Sequence, residues 1–501
     1  MVTTADAPAV DSTFLDAVML EHTSRVNAYD EIEKWIDGRQ QVHLSARMRQ
    51  FLTDAGIPDT EFSDNYLDLV VSALTDRLRV AGFSAPGEKA EPRTDAEGLP
   101  IPDAPGPLAQ YAADTWSANR GDSLQIAVHD TAVALGDAYV IVEWDALAGR
   151  PALHFNDPRL VRMHRDPANT SEVLFASKAW VVSLGDGKAT RLNLYYPERI
   201  ERYISNGEIV RGAWRPFQED GTSAVVPWTM DGSPDGEPIG IAVVQFSNDR
   251  RGNATYGRTE VHNAIPLQRA MNKALVDMLR VSDAQGWPQR YATGVATSDA
   301  DLNADPGSVW EIESDLAKVG QLEASDPAGI ISLLNKLQED VATVTRTPQH
   351  LVRITGAFPS GESIKTAEAP LVKKAQKRQT SFGNGHEDVM LLAARLGVAN
   401  GALAGDVPLS GYTCEWEDAE SRPAELDHIS AINSKQGISR RQRWREYGYT
   451  DEEIARMEAE LESEAADLAE VMADALDTEG GRPGQQMRGR RRPPPGAGAE
   501  A

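Results

Sequence analysis

"DPAGIISLLNKLQEDVATVTRTPQHLVRITGAFPSGESIK" runs from Asp326 to Lys365. Its first part predicts a helix. Asp326 offers an N-cap acceptor, and Pro327 has no N–H to lose at the first helical position. Ile331, Leu334, Leu337, Val341 and Val344 follow at helical spacing, and Pro348 ends the run. The second part, Thr355 to Ser363, holds Gly356, four residues, Gly361, Glu362 and Ser363. That is the frame of a phosphate-cradling loop, with Glu362 where the chemistry needs Lys. A cradle also needs a strand before it, and only the short "LVRIT" (Leu351–Thr355), behind a proline-stopped helix, is available. A carboxylate about 4 Å from a phosphate oxygen is repulsive by roughly several kcal/mol in a partly buried site. Lys365 lies too far along to replace the missing cation simply. The plainer reading is a Gly/Pro/Ser loop joining two helices.

Working outward, Thr259–Ser282 predicts a second long helix, with Val261, Ile265, Met271, Leu275 and Met278 near helical spacing. Pro266 either kinks it or marks its true start. Between the two helices, Pro288–Ser325 has no helical period. Beyond the loop another helix starts near Ser363, with Lys365, Lys373, Lys374, Lys377 and Arg378 expected on its surface. Pro370, early in it, implies a bend.

Upstream, Phe14–Asp37 and Tyr66–Val80 predict helices, and Ser84–Pro107, rich in Pro, Gly and charge, predicts an exposed loop. Shorter helices follow at Leu108–Trp116 and Ser123–Leu135. From Ala138 to Phe246 the period changes to that of strands, in "AYVIVEW", "PALHF", "EVLFASKAWVVSL", "RLNLYY" and "IGIAVVQF". Turn residues at Gly185-Asp186-Gly187 and Asn206-Gly207 separate them, so a mostly antiparallel β-rich lobe is expected. The C-terminal part predicts helix again, with capping boxes at Ser439/Gln442 and Thr450/Glu453. From Thr478 the chain is Gly, Pro and Arg, a composition expected to be disordered.

The formal charge is −26, from 50 basic and 76 acidic residues. Wrapping duplex DNA is therefore a poor expectation, since tight phosphate binding needs Lys and Arg to displace counterions; local contact remains open. The one cysteine, Cys414, excludes an internal disulfide and a thiolate zinc site. No apolar run reaches the roughly 20 residues of a membrane span, and the first residues show no secretory pattern. Asp299, Asp301 and Asn303 start like a calcium loop, but Ala304 and Trp310 occupy the positions that need Gly and a bidentate acid. The nine His residues form no metal spacing, and His386-Glu387-Asp388 suits a helix start. Asp157 and Asp166 could pair on a metal, although Asp-Pro is ordinary turn chemistry. The basic helix pair near Ser439 precedes a helix too acidic for groove binding. These residues favour a structural subunit, with no cofactor and no catalytic group, whose helix–insert–helix hairpin exposes apolar flanks for neighbours to cover.

The chain resembles the portal proteins of tailed bacteriophages. The likeness runs through "NYLDLVVSALTDRLRVAGF" from Asn65, "GDAYVIVEWDALAGRPALHFNDPRLV" from Gly136, and "YGRTEVHNAIPLQRAMNKALVDML" from Tyr256 with "WPQRYATG" after it. It continues in "SGESIKTAEAPLVKKAQKRQ" from Ser360 and "GISRRQRWREYGYTDEEIARMEAE" from Gly437. The resemblance implies an α+β, multi-part subunit of a ring. Its parts would be a wing (residues 1–255), a first stem helix (256–285), a clip (286–326) and a second stem helix (327–347). A tunnel loop (348–362), a kinked wing helix (363–400), a helical crown (401–477) and a disordered tail (478–501) would complete it. It further implies a dodecamer at one capsid vertex, in the virion after assembly in the host cytoplasm. The expected partners are the large terminase subunit, a head–tail adaptor, the major capsid and scaffolding proteins, and double-stranded DNA in transit. His350, Arg353, Phe358 and Lys365 are the residues expected at the channel. A nucleotide- or metal-dependent DNA-processing enzyme, using the loop or the Asp157/Asp166 pair, and another capsid-associated structural protein are the alternatives.

Overall fold

Asp11 starts the first described helix: its carboxylate accepts from the N–H groups of Thr13 and Phe14 at 3.0 and 3.2 Å, an N-cap for α1 (Ser12–Ile36). This computed structural model describes residues 11–40, 46–54, 56, 64–85, 91–94, 100–104, 106–185, 187–208, 211–218, 222–286, 290–293, 317–321, 326–352, 361–404, 411–420 and 444. All but the last lie in one unit, Met1–Ser421, and Arg422–Ala501 form a second. The capping boxes at Ser439 and Thr450, the calcium-like loop and the Arg-rich tail lie outside the described residues.

After α2 (Ala46–Asp54) comes α3 (Leu67–Thr75), whose Leu67, Val70, Val71 and Leu74 are buried. The sequence predicts this helix as far as Val80. Instead the chain turns after Thr75, and β1 (Val80–Ser84) begins where the side-chain oxygen of buried Gln125 accepts the Val80 N–H at 2.8 Å. The supposed exposed loop also contains structure, a hairpin of β2 (Glu91–Thr94) and β3 (Pro100–Ala104). Its prolines are tolerated because a two-stranded ribbon has only edges. α4 (Pro107–Ala118) and α5 (Gly121–Leu135) follow, the first with Pro107 in its first turn.

The β-rich lobe is two sheets, with every described pairing antiparallel. β4 (Asp137–Asp145) lies between β5 (Arg150–Asn156) and the later β12 (Val243–Ser247). Its first six residues are all buried, which explains the apolar run Ala138–Val142 behind Asp137. The larger sheet runs β10-β9-β8-β7-β6, with β11 also pairing β9. Its strands are β6 (Val161–Arg165), β7 (Val173–Leu184), β8 (Gly187–Tyr195), β9 (Arg199–Asn206), β10 (Arg215–Pro216) and β11 (Val225–Pro227). Leu15, Val18 and Met19 of α1 pack on this sheet against Phe175, Leu192 and Trp214.

α6 (Ile265–Gly286) begins at Ile265, so Pro266 marks the true start of the helix predicted from Thr259. β13 (Arg290–Thr293) and β14 (Lys318–Gln321) pair within the insertion. α7 (Ala328–Thr345) follows, with the Asp326 carboxylate accepting the Ala328 N–H at 2.9 Å, the cap its sequence predicts. α6 packs along α7. Next come the short α8 (Gln349–Val352) and α9 (Gly361–Ala399), which continues through Pro370. His386-Glu387-Asp388, read as a helix start, lies deep inside α9 because its neighbours Phe382 and Val389 belong to the same buried stripe. β15 (Thr413–Trp416), in the stretch expected to open a helical crown, is a strand and completes a two-stranded sheet with β1.

The main core joins α3, α5, β4, β12, α6, α7 and α9 through residues such as Val70, Val133, Val140, Phe246, Met271, Val341 and Phe382. Burying each such side chain contributes about 1.5–3 kcal/mol. A glycine pair holds two distant segments close. Gly136 ends α5 at φ +107°, and a Cβ there would lie 2.9 Å from the Gly257 carbonyl oxygen. A Cβ on Gly257 would in turn lie 2.0 Å from the Gly136 oxygen, so neither position admits a side chain without movement.

Candidate functional site

Helix α7 ends at Thr345 with Arg346 in a left-handed turn, and Pro348 leads into α8, which meets the early part of α9. His350 sits on α8, and its Nε2 lies 3.4 Å from the carboxylate of Glu368 on α9. The Arg77 guanidinium approaches the same carboxylate at 3.5 Å. Both Arg77 and Glu368 are largely buried, so His350 meets an anchored partner. Leu351 and Val352 are helical where a phosphate cradle would need a strand, which removes the scaffold for that reading. Lys365 falls in the opening turns of α9, one turn before Glu368. Its side chain, with Arg353 and Phe358, lies outside the described residues. Asp157, of the imagined metal pair, accepts from the N–H and guanidinium of Arg159 at 2.7 and 2.8 Å; Asp166 accepts the Ala168 N–H at 2.8 Å. Both do turn chemistry.

Behind this junction lies an ion cluster that the sequence reading missed. Lys374 and Arg378, expected on the surface, are buried, at 7% and 5% exposure. The Lys374 ammonium contacts Glu260 at 3.0 Å and donates to the Thr345 carbonyl at the end of α7 at 2.6 Å. Arg378 reaches the second Glu260 oxygen at 3.3 Å and Asp249 at 3.6 Å. Glu260 and Lys374 together thus tie the segment before α6, the end of α7 and the middle of α9. Burial pushes the Glu260 carboxyl up, but the Lys374 and Arg378 charges outweigh it and leave it below its ordinary range. Lys374 is also pushed down, by burial first, against the pull of Glu260 and with Arg378 and Arg346 adding repulsion. The two directions would conflict in an isolated pair. They agree if positive charge is in excess around a single anion. The sequence did carry a signal: residues 371, 375, 378 and 382 repeat at helical spacing, and Leu371, Ala375 and Phe382 are core residues.

A second buried contact was also missed. His129 Nε2 on α5 lies 2.9 Å from His386 Nε2 on α9, and His129 Nδ1 lies 2.9 Å from the Leu78 carbonyl. A carbonyl only accepts, so His129 carries its proton on Nδ1 and His386 donates from Nε2. Phe382, Trp416, Phe246 and Trp116 surround the pair.

A family described as "Phage portal protein, SPP1 Gp6-like" matches residues 18–467. The portal protein of Mycobacterium phage D29 is 28% identical over 266 residues, covering 48% of this chain and 53% of that protein. The portal protein of Mycobacterium phage L5 is 27% identical over 266 residues, with the same coverage. The chain thus spans about half the length of the curated relatives it matches. A solved chain from "Neck of empty GTA particle computed with C6 symmetry" aligns over 82% of this chain and 99% of its own, with 12% identity and a TM-score of 0.41.

Proposed function

We propose the following role for this chain, which belongs to the SPP1 Gp6-like family of phage portal proteins. It is the repeating subunit of a ring, a dodecamer at one capsid vertex, through which DNA is packaged and ejected. Terminase and head–tail adaptor proteins dock on the ring, and capsid and scaffolding proteins surround it. The chain is a structural virion component rather than an enzyme. The α6–α7 hairpin forms the stem, the insertion carrying β13 and β14 the clip, and residues 348–362 the tunnel loop. His350, Arg353, Phe358 and Lys365 line or flank the constriction.

One observation carries the ring. Leu333 and Val344 on α7 are 50% and 43% exposed. They are separated by three helical turns, so they fall on the same side of the helix. Apolar groups repeated along one side of a long helix are supports for a neighbouring copy, because water is a poor permanent cover for them. A heterologous contact of that kind closes into a ring when its rotation closes.

The test is direct imaging of purified full-length protein by negative-stain microscopy. Rings with a central channel are the expected result. A strictly monomeric particle at high concentration, together with measurable ATP hydrolysis, would overturn the reading.

A further inference from the structure

In a chain with 76 acidic and 50 basic residues, one groove reverses the balance. Its first hollow, about 540 Å3, lies between the turn after β12, the segment before α6, the end of α7 and α9. Eight of its fifteen lining residues are Lys or Arg and two are acidic. A second hollow of about 670 Å3 continues it between β12 and α9. The two share Asp249, Arg250, Lys377 and Arg378.

Among the described residues the positive charge exceeds its local counter-charge. Glu260 serves both Lys374 and Arg378, and Asp249 is approached by Arg251, Lys377 and Arg378. Two carboxylates therefore answer for several cations, while Arg250, Arg346 and Lys373 stand exposed around the first hollow. Arg346 is held there by the left-handed turn that ends α7, at φ +56°. Arg378, only 5% exposed, has a buried Nε–H with no acceptor among the described residues, and so has Arg165 in the second hollow. Cations in excess of the carboxylates beside them, two of them with unused donors, match an oxyanion that supplies several acceptors.

We propose that this groove is a phosphate-binding site. It takes neighbouring phosphate groups of a polyanion; duplex DNA and small inorganic polyphosphates are the two sources that share the chemistry. The acidic remainder of the surface confines the contact to the groove, since like charge repels a polyanion elsewhere. The proposal rests on the groove's charge and geometry and not on ring assembly, so its failure and that of the portal reading are separable.

The test uses the full chain and a variant carrying Arg250→Ala, Arg346→Ala and Lys373→Ala, three exposed positions, with Lys34→Ala on α1 as a control outside the groove. Anisotropy of a fluorescent duplex is measured as salt rises from roughly 50 to 200 mM, with and without inorganic tripolyphosphate as competitor. The wild type and the control bind, and the triple variant binds roughly tenfold or more weakly, with a log–log salt slope smaller by about 2 to 3. Competition by tripolyphosphate identifies a compact phosphate site; resistance to it identifies the extended DNA backbone; either supports the proposal. Equal binding by the triple variant, or no phosphate binding by the wild type, overturns it.

Discussion

At the scale of single residues, the buried histidine pair makes the sharpest statement about conditions. One proton lies between His129 Nε2 and His386 Nε2, and a second cannot enter without making both nitrogens donors. Burial pushes His129 down to about 4, partly offset by the Leu78 carbonyl. His386 is pushed well below its usual value by burial and then by His129. An unfolded histidine titrates near 6.5. Between about 6.5 and 4 the unfolded chain therefore binds more protons than the native one, and stability falls as pH falls. His129 alone contributes a loss of roughly 2 kcal/mol between about pH 7 and pH 5. Urea unfolding at those two pH values, compared with the double variant His129→Gln and His386→Gln, checks this. A pH dependence as steep in the variant as in the wild type would sink it. Lys374 and Arg378 teach a related lesson. A Lys or Arg on a helix reads as surface until its place on the apolar stripe is counted.

At the scale of elements, α7 shows how much a short pattern specifies. Asp326, Pro327 and the apolar repeat predict the helix and its start; Leu334 and Val341 of that repeat are buried and the Asp326 carboxylate accepts the Ala328 N–H, whereas Ile331 and Val344 of the same repeat are exposed. Its exposed apolar residues are where the proposed ring contact would form. Changing Leu333 and Val344 to Ser together should alter subunit stability by no more than about 0.5 kcal/mol each, as surface substitutions do. The ring population should fall steeply, because each interface loses two apolar supports and the loss repeats around the ring. Thermal denaturation beside size-exclusion chromatography separates the two effects. A variant that still elutes as a ring would remove α7 from the interface. By contrast, α3 was overpredicted. Its apolar period runs on past Thr75, but the pairing of Val80 with Trp416 and the bond from Val80 to Gln125 turn that segment into strand. Those partners are more than forty residues away, where helical period carries no information.

At the scale of the whole molecule, "TGAFPSGES" has changed meaning. In the chain it follows α8, and its last three residues, Gly361–Ser363, already open α9. Removing Ala357–Ser360 should leave rings assembled while lowering DNA packaging in a reconstituted system. Loss of the rings themselves would make the segment an assembly element instead. The sequence by itself determined the alternation of long helices with an antiparallel lobe, the α6–insert–α7 hairpin and the family. Each of these is written in local periodicity, caps, turns and the order of segments. The glycines of "GDAY" and "YGRTE" were legible as parts of a pattern, but their mutual contact was not. Only the tertiary structure decided that β15 joins β1, that Glu260 draws Lys374 and Arg378 inside, that two histidines share a proton, and that cations from four elements line one groove. Burial and charge pairing depend on which distant segments meet, and periodicity along the chain does not encode that meeting.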